Sequence, residues 1–272
     1  MLARILIWVL AFFITAASAV YQRVTGPTTP LRGETTVGNT DIKFKLLRTE
    51  VVGKDALVAI DVSDPSITGL VKYKRLRSHD DWITLQMIRR EGRLTTTLPR
   101  QPSAGKMIYF VYLEKGDEPI SLSGETPVTI RYKGAVPGVV LWPHVFLIFL
   151  AMLFANRTTI EAIRPKGNPS STLGLTLGLL LIGGMIMGPI MQKYAFGAFW
   201  TGFPRGHDLT DNKMLIAVIV WIWAWFRNRG GQRNRAWIIF AGLVVFAIFM
   251  IPHSMLGSEL DYTNLPEGAG TP

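Results

Sequence analysis

Five apolar runs divide this chain: Ile5–Val20, Val136–Ala155, Leu173–Ile190, Met214–Phe226 and Trp237–Ile251. Crossing the hydrocarbon of a bilayer takes about 20 helical residues. The second and third runs meet that length directly. The fourth and fifth are short, and Trp221, Trp223, Trp225 and Trp237 extend them as aromatic belts at the membrane surface. Clustering of this kind, in a chain of 49% hydrophobic residues and mean hydropathy +0.27, predicts an integral membrane protein.

The formal charge of +10 is unevenly placed. Arg227, Arg229, Arg233 and Arg235 crowd the link between the last two runs, and Arg157, Arg164 and Lys166 lie between the second and third. The tail after Ile251 holds Glu259, Asp261 and Glu267 and no Lys or Arg. Under the positive-inside rule the basic links face the cytoplasm, and the tail faces out. The charge therefore reads as a topology signal, with no nucleic-acid partner expected. The expected location is a bacterial inner membrane. The absence of cysteine excludes disulfides, thiolate metal sites and covalent haem attachment. The first 24 residues read as an anchor or a signal helix, with Ala17-Ser-Ala19 as a cleavage-type motif. Either reading exports the segment C-terminal to it.

Residues 25–35 are rich in Pro, Gly and Thr and read as a linker. Residues 36–134 alternate short β-type runs with turn signals. Ile42–Leu46, Leu57–Val62, Leu70–Lys74, Trp82–Met87, Leu94–Leu98, Met107–Leu113 and Val128–Tyr132 are the expected strands. That pattern predicts an external antiparallel β-sandwich with Trp82, Tyr109 and Val111 in its core. Leu94–Pro99 and then Ala104–Leu113 resemble the late strands of fibronectin type III and other immunoglobulin-like domains. His79 beside Asp80 and Asp81 reads as a solvated turn. The overall expectation is a membrane α+β protein, with the sandwich inserted between an N-terminal membrane helix and a four-helix bundle over 136–252. Residues 253–272 form an external tail.

Three polar marks then share the external face of the bundle. His144 lies about six residues, or about 9 Å, into its span. His253 comes directly after Pro252 at the end of the last run, and the loop 192–212 carries Phe196, Phe199, Trp200 and Phe203. Two imidazoles and an aromatic Gly-rich loop suit a flat, iron-bearing ligand, with His144 and His253 as the metal ligands and the four aromatics covering the ring. His207 beside Asp208 reads as exposed. Met185, Met187, Met191, Met214 and Met255 raise Cu(I) as a second option, but methionine is a routine packing residue in apolar helices. Gly174, Gly178, Gly183, Gly184 and Gly188 mark a close-packing face on the third run, and Gly188-Pro189 marks a kink or unwinding.

Phe196-Gly-Ala-Phe-Trp200, Pro204 and Asp211-Asn-Lys-Met-Leu-Ile216 ahead of Trp221 resemble the tryptophan-rich segment of haem-handling proteins of cytochrome c biogenesis. His144–Met152 and His253–Gly257 resemble the histidine-bearing segments that flank it there. The Trp-x-Trp-Asp-Pro core of that family is here Trp200-Thr-Gly-Phe-Pro204, without the second Trp and the Asp. The resemblance implies haem b and a role in haem handling for cytochrome assembly or in electron transfer. Expected partners are the bilayer and other membrane or periplasmic proteins, cytochromes among them. The alternative is a non-catalytic accessory subunit that docks a larger complex through its sandwich and Gly-lined span. No general base or nucleophile stands out, so catalysis is not expected.

Overall fold

A computed structural model describes residues 2–116, 119–231, 233–252 and 257–264. The chain divides into two compact units. One holds the residues up to 27 together with 136–258, and the other holds 28–135 with the segment from 259 onward.

The first unit is helical. It comprises α1 (Leu2–Thr25), α2 (Gly138–Ile163), α3 (Ser170–Leu179), a π-helical segment (Leu180–Ile186), α4 (Met187–Phe196), α5 (Leu209–Phe226) and α6 (Arg235–Met250). By length and composition α1, α2, the continuous helix Ser170–Phe196 and α5 can cross a membrane, while α6 is shorter at 16 residues. Their exposed surface is apolar, with Phe12, Val139, Trp142, Phe146, Ile219 and Phe240 facing outward. A helix this apolar on all sides belongs in lipid.

Small residues set the spacing inside the unit. A Cβ on Gly242 of α6 would overlap the Thr159 hydroxyl of α2, so the α6 backbone packs directly on that side chain. A Cβ on Gly183 would stand 2.9 Å from Leu147 Cβ, and one on Gly184 would overlap Met214. The glycines expected to offer a docking face are thus divided. Gly183 and Gly184 pack inside the unit, whereas a Cβ on Gly178 would meet nothing within 4 Å among the described residues. Helix α1 joins the bundle rather than standing apart: Trp8 meets Phe154 edge-on at 5.1 Å, and Asn156 Nδ2 donates to Thr15 Oγ1 at 3.0 Å.

Gly188-Pro189, where a kink or unwinding was expected, lies within α4, and the irregular turn is the π-helical segment that precedes it. In a regular α-helix the Met187 N–H would bond to Gly183 O; here it donates to Ile182 O, five residues back. Pro189, two residues on, has no N–H to offer the preceding turn, and the Gly183-Gly184 pair places no Cβ in the way. Wide turns of this type recur at functional sites.

The second unit is β. Its longest sheet runs β3 (Thr49–Val51), β11 (Val128–Lys133), β9 (Lys106–Glu114), β5 (Thr68–Arg75), β6 (Ile83–Gln86), with β10 (Ile120–Ser121) also on β9. A three-stranded sheet orders β4 (Ala56–Asp61), β8 (Arg93–Leu98) and β7 (Ile88–Arg90). A hairpin pairs β1 (Leu31–Val37) with β2 (Thr40–Leu46). One core joins all three, with Ile42, Ile60, Leu98, Met107, Tyr109, Val111 and Leu113 at 0–1% exposure. The period-two pattern of β9 drives this, because it turns Met107, Tyr109, Val111 and Leu113 to one face.

Three expectations change. The sheet is not wholly antiparallel, since β3 runs parallel to β11 with Thr49 opposite Arg131. A strand of three residues is too short to show a period in sequence. Trp82 is 41% exposed and lies on the outer face, tilted against Phe110 at 5.6 Å. The 25–35 linker contains the last residue of α1 and the first five residues of β1, whose register places Leu31 opposite Leu46. Residues 259–264 belong to the β unit. Glu259 bridges Lys106 at 2.5 Å and Arg77 at 2.6 Å, and Tyr262 Oη donates to Gln101 Oε1 at 2.8 Å.

Candidate functional site

His144 sits in the second turn of α2 and is half-buried. Its Nδ1 lies 2.9 Å from Gly183 O, the carbonyl whose α-helical donor is diverted by the π-helical turn. A carbonyl only accepts, so Nδ1 carries the proton, and neutral imidazole then keeps its lone pair on Nε2. Fixing one ring nitrogen on a backbone carbonyl is how proteins orient a histidine whose other nitrogen binds a ligand. The ring also meets Gly188, where an added Cβ would stand 3.8 Å from Cε1.

The loop that follows α4 is held by the start of α5. Asp208 caps that helix, accepting from Thr210 N at 2.8 Å. Its other oxygen accepts from Ser258 N at 2.7 Å, Ser258 Oγ at 2.9 Å and Thr201 Oγ1 at 3.1 Å. Burial would push the Asp208 carboxyl up, but the bonds from Ser258, Thr210 and Thr201 outweigh it and hold the group below the usual carboxylate range. Asp211 Oδ2 accepts from the backbone of Thr201 at 2.7 Å and Gly202 at 2.9 Å. Asn212 Oδ1 accepts from Phe203 N at 2.7 Å, and Gln192 Nε2 donates to Thr201 Oγ1 at 2.6 Å. Gly202 is required here, since a Cβ would sit 2.6 Å from that of Asp211.

Lys213 is 5% exposed, and its Nζ donates to Ile251 O at 2.8 Å. An ammonium this deep in an apolar bundle is costly and marks a functional position by default.

Of the residues expected to form the site, the described structure fixes five. His144 bonds to the third span. Phe196 is half-buried at the end of α4. Phe199 and Phe203 are exposed at 55% and 68%, with Lys193 Nζ 5.6 Å from the centre of the Phe199 ring. Trp200 Nε1 donates to Phe203 O at 3.0 Å, closing the loop on itself. His253, like Met255, lies outside the described residues. The residues that bracket it, Ile251 and Ser258, are bonded to Lys213 and Asp208 at the start of α5. His207 is exposed.

Sequence reading missed Asp208, Asp211, Lys213 and Ser258 as a connected set. The signal was present: two acids and a lysine within six residues, at the mouth of an apolar run, need partners. Among the described residues no three His, Cys, Asp or Glu side chains converge on one point. Comparison with protein-family profiles, with curated proteins and with solved structures finds no match, so the function rests on this geometry.

Proposed function

We propose that the helical unit is a membrane haem-binding protein, acting in haem handling for cytochrome assembly or in electron transfer at the outer face. The observation that carries this reading is the His144–Gly183 bond, which leaves Nε2 as a fixed, neutral donor beside a π-helical turn. His144 and His253 would hold the iron, and Phe196, Phe199, Trp200 and Phe203 would supply aromatic cover. Lys213, whose hydrogen-bond partner among the described residues is a carbonyl, supplies a cation for an acidic substituent of the ring. Bound haem would supply one-electron iron chemistry. The protein orients the ring through His144, holds the loop through Asp208 and Asp211, and keeps water from the apolar side of the site.

In this reading the end of the bundle bearing Arg227, Arg229 and Arg235 faces the cytoplasm of a bacterial inner membrane, and the β unit is an external sandwich. Protein purified from cells supplied with a haem precursor should show a Soret band, with a haem-to-protein ratio near one by pyridine haemochrome assay. Its absence favours the accessory reading. A specific feature supports that second reading: Trp82, Phe110 and Tyr112 form an aromatic row crossed by Lys72 and Lys74 on the outer face of the longest sheet. Such a face suits protein docking.

A further inference from the structure

At the opposite end of the helical unit from His144, the link between α2 and α3 and the link between α5 and α6 enclose a pocket of about 290 Å³. Lys166, Arg233 and Arg235 line it with Asn168, Ser170 and Asn228, and no acidic side chain does. Glu161, whose carboxylate accepts from the Asn168 N–H at 3.2 Å, is also paired with Arg157 at 3.0 Å and Arg164 at 3.2 Å. The walls are built rather than incidental. The Arg235 guanidinium donates to Arg164 O and, at 2.8 Å, to Gly167 O, tying the two links together. Gly167 admits no side chain, because a Cβ would overlap Glu161 O. Asn228 Nδ2 donates to Ala224 O at 2.8 Å and Asn234 O at 3.2 Å, which fixes the turn on the other side.

Arg235 is thus a wall, while Lys166 and Arg233 are the cations left to meet a ligand. We infer that this pocket binds a phosphate-bearing anion, with a lipid headgroup as its source. The volume fits a headgroup and lies at the lower edge of small-molecule sites. Two further features point to lipid. Trp223, Trp225, Phe226 and Trp237 are exposed beside the pocket on α5 and α6, the aromatic pattern of the headgroup level. An acyl chain leaving the pocket would run along that apolar surface. Basic pockets between spans are a recurrent way of holding anionic lipids.

Native mass spectrometry of the full chain in detergent, titrated with dioleoyl-phosphatidylglycerol, tests this against dioleoyl-phosphatidylcholine. Calorimetry with inorganic phosphate forms the second arm. The K166A/R233A double variant should bind phosphatidylglycerol roughly 25-fold more weakly, about fivefold for each cation removed. Arg229→Ala, on a side chain stacked over Phe226 at 4.1 Å and outside the pocket, should bind normally. Circular dichroism confirms that both variants fold. Saturable binding of inorganic phosphate with no preference for the anionic lipid would keep the anion site and overturn its lipid source. Equal loss in Arg229→Ala, or no binding of either probe, would overturn the site itself.

Discussion

His144 Nδ1 and Gly183 O, 2.9 Å apart, couple the second span to the π-helical turn of the third. The π-helical turn diverts one donor, and the imidazole replaces it. The bond explains a polar side chain inside an apolar helix without asking for burial of a charge. It also gives the histidine one orientation, which a ligand role requires.

Gly183→Ala tests that coupling through packing. The new Cβ would press on Leu147 Cβ and on the α2 backbone at 3.2–3.3 Å, neither of which can rotate away. Overpacking of this kind costs about 1–3 kcal/mol, and separation of the spans weakens the His144 bond as well. Thermal unfolding monitored by tryptophan fluorescence should show a lower midpoint, and any haem should be retained less well. A midpoint equal to that of the parent protein would mean the two helices are not held this close.

Gly242→Ala should be similarly costly for a different reason. The added methyl meets the Thr159 hydroxyl and lies 2.8 Å from Thr159 Cβ, a branched side chain with little freedom. The double variant Gly242→Ala with Thr159→Gly, which removes the hydroxyl, the methyl and the Cβ that the new group meets, should regain part of the stability. Failure of that rescue would place the α2–α6 contact elsewhere.

Asp208 makes the loop pH-dependent. Its pKa lies below the ordinary value of 3.8, so its contribution is present above that pH and fades as pH falls through the lower value of the folded protein. Protease cleavage within 197–207 should therefore accelerate in strong acid, and Asp208→Asn should be cut faster at neutral pH and show less acid dependence. Equal cleavage of the two proteins at every pH would show that the carboxylate does not hold the loop.

Glu259→Ala should destabilise the β unit. It strands Lys106, whose side chain is 8% exposed, without the carboxylate that neutralises it. Removing one partner of a hydrogen-bonded charge pair in so buried a setting costs roughly 2–4 kcal/mol. Burial already lowers the Lys106 pKa despite Glu259, so the variant's loss should be smaller at high pH, where the amine is neutral. Urea unfolding at pH 7 and pH 10 distinguishes this from a simple packing defect, which would not depend on pH.

Much of the architecture could be read from residue patterns, because hydropathy and alternation are local. The seven expected β runs each overlap a strand, and the long apolar runs became helices. What escaped was set by contacts between distant residues. Most of β1 lay inside a segment whose Pro, Gly and Thr suggested a linker, yet its pairing with β2 overrides composition. Trp82 was expected inside because of its size, but its position ahead of β6 turns it outward onto Phe110. In the candidate site, His144 was visible as a polar residue in an apolar span, whereas its partner is a backbone carbonyl with no sequence signature. The Asp208–Ser258 and Lys213–Ile251 bonds join residues 50 and 38 positions apart, so neighbouring sequence gave no hint of them.

The most direct test of the account is the optical spectrum of His144→Ala beside the parent protein, both purified from haem-replete cells. The parent should show a Soret band with the sharp reduced α and β bands of a six-coordinate low-spin haem. Loss of one strong-field ligand should convert it to a high-spin spectrum or abolish binding, while circular dichroism stays unchanged. Trp200→Ala should keep the low-spin spectrum and release haem more readily, since an aromatic contact contributes about 0.5–1.5 kcal/mol beyond its buried area. A His144→Ala protein with the parent's low-spin spectrum, or a parent protein with no Soret band, would contradict the assignment of His144 as an iron ligand.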